Sequence, residues 1–233
     1  MGDPASRRGG WVNVCVAAAL IVATFPGRSI GLGVLTEPIV RDFSLTHVQF
    51  GHINLWATLL GAAFCLPGGW LIDRLGIRPV MAGTLIGLAA VVVAMTATRS
   101  VWALAGLILL TRGLGQSALS VVSLAVVGKT PLRNRGLAMG VYAFLTGVGF
   151  AALMPVIQML DQEMHWDWRA IWSALGGGLV FIVLPLCFVL LTEPPRAAEV
   201  QFDDGATPSP IDFTLGEALR TPAFWAISLT CSL

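Results

Sequence analysis

Charged residues are scarce in this sequence. They make up 12% of its 233 residues, about half the share that a water-soluble domain usually carries. So few charges cannot cover the surface of a soluble domain of this length. The formal net charge is +1, and lysine occurs only at Lys129. The sequence therefore lacks the basic field that nucleic-acid binding requires, and we expect no nucleic-acid partner.

Metal, redox and phosphate motifs are also missing. No two of the four cysteines have the close spacing of a metal or redox pair. All four lie in apolar runs, and we interpret them as small packing residues. The Gly-Lys-Thr at 128–130 lacks the earlier glycine of a phosphate-binding loop. We therefore predict no metal, no cofactor and no catalytic residue.

Long hydrophobic runs are abundant instead. A hydrocarbon core about 30 Å thick needs roughly 20 apolar helical residues to cross it. Six such runs predict an all-α membrane protein, a six-transmembrane-helix bundle in residues 1–192. We place the six predicted spans near residues 11–39, 48–72, 79–98, 101–127, 136–160 and 170–191. The short links between them predict that neighbouring helices are antiparallel.

The placement of arginine and lysine predicts the orientation. Positive residues are retained on the cytoplasmic side of a membrane. With a cytoplasmic amino terminus, nine cations are inside, against three outside at Arg41, Arg99 and Arg169. The nine are Arg7, Arg8, Arg74, Arg78, Lys129, Arg133, Arg135, Arg196 and Arg220. We expect a multi-pass protein of the plasma (cell inner) membrane.

The composition changes after the sixth run. Residues 193–221 are rich in proline and acidic residues and too polar to cross a bilayer, so they predict a cytoplasmic linker. Residues 222–233 are apolar again but too few for a crossing. They predict the truncated start of a seventh transmembrane helix.

The link between the second and third runs carries the most specific motif. Residues 69–79 read GWLIDRLGIRP. This segment resembles the cytoplasmic loop motif G-x-x-x-D-R-x-G-x-R of the major facilitator superfamily. Gly69 permits close helix contact, Gly76 permits a tight turn, and Asp73 can pair with arginines or lie near a helix amino terminus. The resemblance implies that this gating loop, with Arg74 and Arg78, latches two six-helix halves in one access state.

Weaker motifs follow in the family's order. FPGRSI at 25–30, RGLAMG at 135–140, DWR at 167–169 and RTPAFW at 220–225 are similar to segments of the monocarboxylate porter and oxalate-formate antiporter branches. The resemblance implies alternating-access transport of a small organic anion by a chain that is the amino-terminal half. Its partners would be a bilayer and the missing carboxy-terminal six-helix half. The compressed RGLGQ at 112–116 and the lack of a Gly-Pro pair in the fifth run depart from the family patterns.

Two arginines inside apolar runs are the main candidates for binding a solute. Arg28 lies about 25 Å along a helix from Trp11, and a cation in apolar surroundings needs a wet cavity or a counter-charge. The preceding Pro26 and Gly27 can loosen the helix. We hypothesise that Arg28 binds a carboxylate. The alternative is that it extends to the outer interface or pairs structurally.

The other candidates lie in the fourth and second runs. Arg112 has a substrate or gating role or, alternatively, a structural tie to a carbonyl or a neighbouring helix. Gln116, one turn later, shares its face, and Asn54 is either an interhelical hydrogen-bonding group or a further substrate contact.

Two other functions compete with transport. An intramembrane serine protease built on Ser117 lacks a histidine in the last two complete runs to activate the hydroxyl. A non-transporting scaffold or an inactive fragment stays open, because a transport path between two halves needs both of them.

Overall fold

The computed structural model describes residues 4–130, 134–162, 166–192 and 221. Apart from Thr221, the described residues belong to the compact unit Met1–Pro194 and form helices, with no strand among them. The predicted linker, apart from Thr221, and the predicted start of a seventh helix lie outside the described residues.

Five helices are long and apolar enough to cross a membrane, and they confirm the predicted all-α bundle. We call them spans two to six: His47–Leu75, Ile77–Ala97, Val101–Lys129, Arg135–Leu160 and Trp168–Leu190. The helix of span five continues to Gln162. A shorter apolar helix, Gly9–Ala23, forms the amino-terminal part of span one.

Span one, predicted near residues 11–39, is interrupted. Its first helix, Pro4–Ala23, is followed by a 3₁₀ turn at Phe25–Gly27 and by two short helices, Ser29–Val34 and Thr36–Asp42. Arg28 is extended, with φ −94° and ψ 156°. Pro26 has no N–H to donate to the ladder, so the break is where the sequence predicts loosening.

Irregular helix geometry also occurs in three other spans. Span two contains a 3₁₀ turn at Ala62–Phe64, and span six contains a π-helical segment at Leu179–Val183. Span four has a longer π-helical segment, Arg112–Leu119. Such segments within α-helices are frequent at functional sites. The π-helical segment of span four packs directly against the break in span one.

Span three contributes Met81, Leu85 and Met95 to the core, each fully buried. Span six packs closely on it at Gly176, where an added Cβ would lie 2.8 Å from a methyl carbon of Val93. Small residues let membrane helices approach in this way.

An ionic cluster ties the carboxy-terminal end of span one to two other spans. The guanidinium of Arg169 pairs with the carboxylate of Asp42 and donates to the carbonyl oxygens of Thr96 and Thr98. Trp168 Nε1 also donates to Asp42, at 3.3 Å. The cluster fixes the segment of span one that lies beyond the break.

Candidate functional site

The guanidinium of Arg112 is the centre of a buried polar cluster. Only 3% of this residue is exposed. Its Nη1 donates to Gly27 O at 3.2 Å, Ser29 Oγ at 3.0 Å and Gln116 Oε1 at 2.9 Å, and its Nη2 donates to Asn54 Oδ1 at 2.9 Å. Three of the four predicted solute-binding residues, Arg112, Gln116 and Asn54, are therefore in one network that joins spans one, two and four.

Glycines allow the backbones to come this close. A Cβ on Gly27 would lie 3.0 Å from Gly115 Cα, and one on Gly61 would lie 2.9 Å from Arg112 Cβ. Spans one and two therefore approach the π-helical segment of span four more closely than larger residues permit.

Arg28 faces a different set of neighbours. Its Nε donates to Thr24 Oγ1 at 2.7 Å, and its Nη2 to Ser120 Oγ at 3.4 Å. The guanidinium carbon lies 5.4 Å from the ring centroid of Phe150 in span five, a cation–π contact. Arg28 is half-buried and is not part of the Arg112 cluster.

Neither guanidinium is neutralised by an acidic side chain of the described residues. The ion pairs found in that part of the chain are Glu37–His47, Asp73–Lys129 and Asp42–Arg169. Arg112 is compensated by neutral acceptors. Arg28 has two hydroxyls and one ring, and its Nη1 donates to no described residue. Arg28 is thus a half-buried cation with capacity left for an anion, whereas Arg112 Nε, which also has no hydrogen-bond partner among the described residues, is fully buried.

Several polar neighbours were not predicted from the sequence. Ser123 Oγ donates to Ala17 O at 2.8 Å and lies 3.0 Å from Tyr142 OH. Ser120 and Ser123 are nearly one turn apart on span four, and Tyr142 is the only tyrosine of the chain. Hydroxyl groups inside apolar runs are the sequence signal that could have identified Ser120, Ser123 and Tyr142.

The gating loop has the predicted tight turn. Gly76 has φ 91°, which favours glycine, between the helices Cys65–Leu75 and Ile77–Ala97. Arg74 stacks on Trp70, with its guanidinium carbon 4.2 Å from the ring centroid.

The polar partners of the loop differ from those expected. Asp73 Oδ1 lies 3.1 Å from Lys129 Nζ, so a lysine at the end of span four pairs with it instead of an arginine. Arg78 Nη2 donates to Leu191 O at 2.6 Å. The prediction of a close helix contact at Gly69 is wrong for the described residues, because an added Cβ there meets no atom within 4 Å. The neighbouring Gly68 packs against Ala118 instead.

The sequence matches known membrane transporters. A family model described as Major Facilitator Superfamily matches residues 16–233. The D-galactonate transporter of Escherichia coli O6:H1 is 24% identical over 193 residues, which cover 83% of this chain and 43% of that protein.

Two further relatives are also transporters by name. Monocarboxylate transporter 12-B of Danio rerio is 28% identical over 227 residues, 92% of this chain and 43% of that protein. The gallate transporter of Pseudomonas putida is 27% identical over 178 residues, 76% and 39% of the two chains. The chain spans less than half the length of these curated relatives.

Proposed function

Because the chain belongs to the Major Facilitator Superfamily, we propose that it is the amino-terminal half of a secondary transporter for a small organic anion, such as a monocarboxylate. A second six-helix half completes the path, and solute crosses by alternating access. The amino terminus is cytoplasmic and the membrane is the plasma membrane, in agreement with the arginine and lysine count. The three named relatives are transporters of carboxylate anions by their names.

One observation supports the anion most strongly: the guanidinium of Arg28 has no carboxylate partner among the described residues and lies beside a helix break. A charge in a membrane interior is retained where it meets a polar cavity or a counter-charge. Planar guanidinium groups bind carboxylates through paired, charge-assisted hydrogen bonds. Thr24 and Ser120 hold Nε and Nη2, and Nη1, which donates to no described residue, is left for the solute.

Uptake into vesicles that contain the full-length protein tests this proposal. We expect saturable uptake of at least one labelled anion among lactate, pyruvate and oxalate, and competition by the others. The matched compounds are the amides of the same acids, which keep the shape and lose the charge. Transport of the neutral amides alone contradicts the proposal.

We also propose that the gating loop controls access, and we expect Asp73→Asn to lower uptake at least about fivefold, the effect of a coupling of about 1 kcal/mol. The thermal stability should change little, because the side chains of Asp73 and Lys129 are 75% and 45% exposed and such pairs contribute at most about 1 kcal/mol. Uptake and the melting temperature of the purified full-length variant are the two measurements.

Lys129→Met is the matched control for Asp73→Asn. It removes the same ion pair but keeps the carboxylate, so uptake should stay near the wild-type value. An equal loss of uptake in both variants would instead show that the ion pair between Asp73 and Lys129 causes the effect. Wild-type uptake by Asp73→Asn would contradict the proposed gating role of Asp73.

A further inference from the structure

The break in span one leaves the carbonyl of Gly27 outside the helical ladder. Arg28 N donates to Phe25 O at 3.1 Å, and Leu32 N donates to Arg28 O at 3.1 Å, so the backbone bonds on either side bypass Gly27 O. That carbonyl accepts from Arg112 Nη1 at 3.2 Å. A carbonyl in a membrane interior needs such a partner, because no bulk water reaches it.

Arg112 is committed to this network. Its two terminal nitrogens donate to four acceptors from three spans, and its side chain is buried. An anion that reached the terminal nitrogens of this guanidinium would have to displace Asn54 or Ser29 and break hydrogen bonds that join the spans. Nε has no hydrogen-bond partner among the described residues, but it is buried. Direct solute binding is therefore the less favourable use of Arg112.

The peptide between Gly27 and Arg28 lies between the two guanidiniums. On one side Arg112 holds its carbonyl, and on the other the Arg28 side chain extends to Thr24, Ser120 and the Phe150 ring. A shift of that peptide would move the Cα of Arg28 and hence its guanidinium. The orientation of Arg28 thus depends on a contact made by span four.

We propose that Arg112 is a positioning residue that fixes the orientation of Arg28 by holding the Gly27 carbonyl, with Asn54 and Gln116 as its supports. This inference rests on the proposed function, since it assigns Arg28 to the anion. It revises the sequence-based hypothesis that Arg112, Asn54 and Gln116 contact the solute themselves.

The test is a double-variant cycle in the full-length protein, with the dissociation constant of the transported anion as the readout. Arg112→Lys keeps the positive charge but replaces the planar fork with a single ammonium group, which cannot hold all four acceptors. We expect about tenfold weaker anion binding from Arg112→Lys and from Arg28→Lys alike. Both substitutions act on the Arg28 guanidinium. The double variant should therefore bind the anion at most about twofold more weakly than the weaker-binding single variant.

The inference would be overturned if Arg28 and Arg112 contributed independently to anion binding. If both arginines bound the anion directly, the two losses would multiply to about a hundredfold. Wild-type affinity in Arg112→Lys would also contradict a positioning role, because the charge alone would then be sufficient. If Arg28→Lys and Arg28→Gln both bind with wild-type affinity, the proposed function fails instead, so the two failures are distinguishable.

Milder variants keep the test decisive if Arg112→Lys does not fold. Ser29→Ala and Asn54→Ala each remove one acceptor from the network, and each should weaken binding about two- to fivefold, the effect of one lost hydrogen bond. Thr58→Ala, one turn from Asn54, removes a hydroxyl that donates only to Asn54 O, and it should bind the anion normally. Normal binding by both Ser29→Ala and Asn54→Ala would contradict the inference.

Discussion

Replacing Arg28 with glutamine is expected to lower the uptake efficiency kcat/KM of the full-length protein about a hundredfold. Removing one member of a desolvated charge pair costs about 3 kcal/mol, and every 1.4 kcal/mol is a factor of ten. The amide nitrogen of glutamine takes the place of Nε and keeps the ability to donate a hydrogen bond to Thr24, but the side chain has no charge to offer a carboxylate. Initial rates over a range of anion concentrations give the ratio.

Arg41→Gln provides the matched control for Arg28→Gln. Arg41 belongs to the same span, in the helix Thr36–Asp42, but it is exposed and lies beyond the break. We expect wild-type uptake from this variant. Equal surface expression of the two proteins must be shown by labelling. Unchanged uptake by Arg28→Gln at normal expression would refute the assignment of Arg28 to the anion.

The sequence predicts the features that depend on local chemistry. The six runs follow from hydropathy, and the break in span one follows from Pro26, which cannot donate to the helical ladder. The turn at Gly76 follows from its motif. Arg28 and Arg112 are candidates because an unpaired cation is costly near the centre of the bilayer. Each of these features is encoded within a few residues.

The contacts between spans could not be predicted, because they depend on how each helix is rotated and how far it is shifted along its neighbours. Asn54 is 58 residues from Arg112, and Ser29 is 83 residues away. Nothing in the intervening sequence states that three spans meet at one guanidinium. The same limit explains why two similar arginines face different neighbours.

Span five shows how a small change of face alters the packing. Gly140 and Gly147 are seven residues apart and so share one face of the helix, but an added Cβ at either position meets no atom within 4 Å among the described residues. The contact is at Gly149, where an added Cβ would collide with Val22. Two residues along a helix correspond to a rotation of about 200°, so the composition of a span does not identify the face that packs.

Gly27→Ala is expected to lower the melting temperature of the full-length protein by about 5 °C, since overpacking costs about 1–3 kcal/mol and each kcal/mol corresponds to about 2–4 °C in a protein of this size. The new Cβ would meet the carbonyl oxygen of Thr111 and lie 3.0 Å from Gly115 Cα and 3.1 Å from Gln116 N. These are backbone atoms, so spans one and four must separate. The φ of Gly27 is not in the left-handed region, so the cost comes from the collision.

Gly106→Ala in span four, where a Cβ meets no atom within 4 Å, should leave the melting temperature unchanged or slightly raised. Equal melting temperatures for the two variants would show that spans one and four are not in close contact at Gly27.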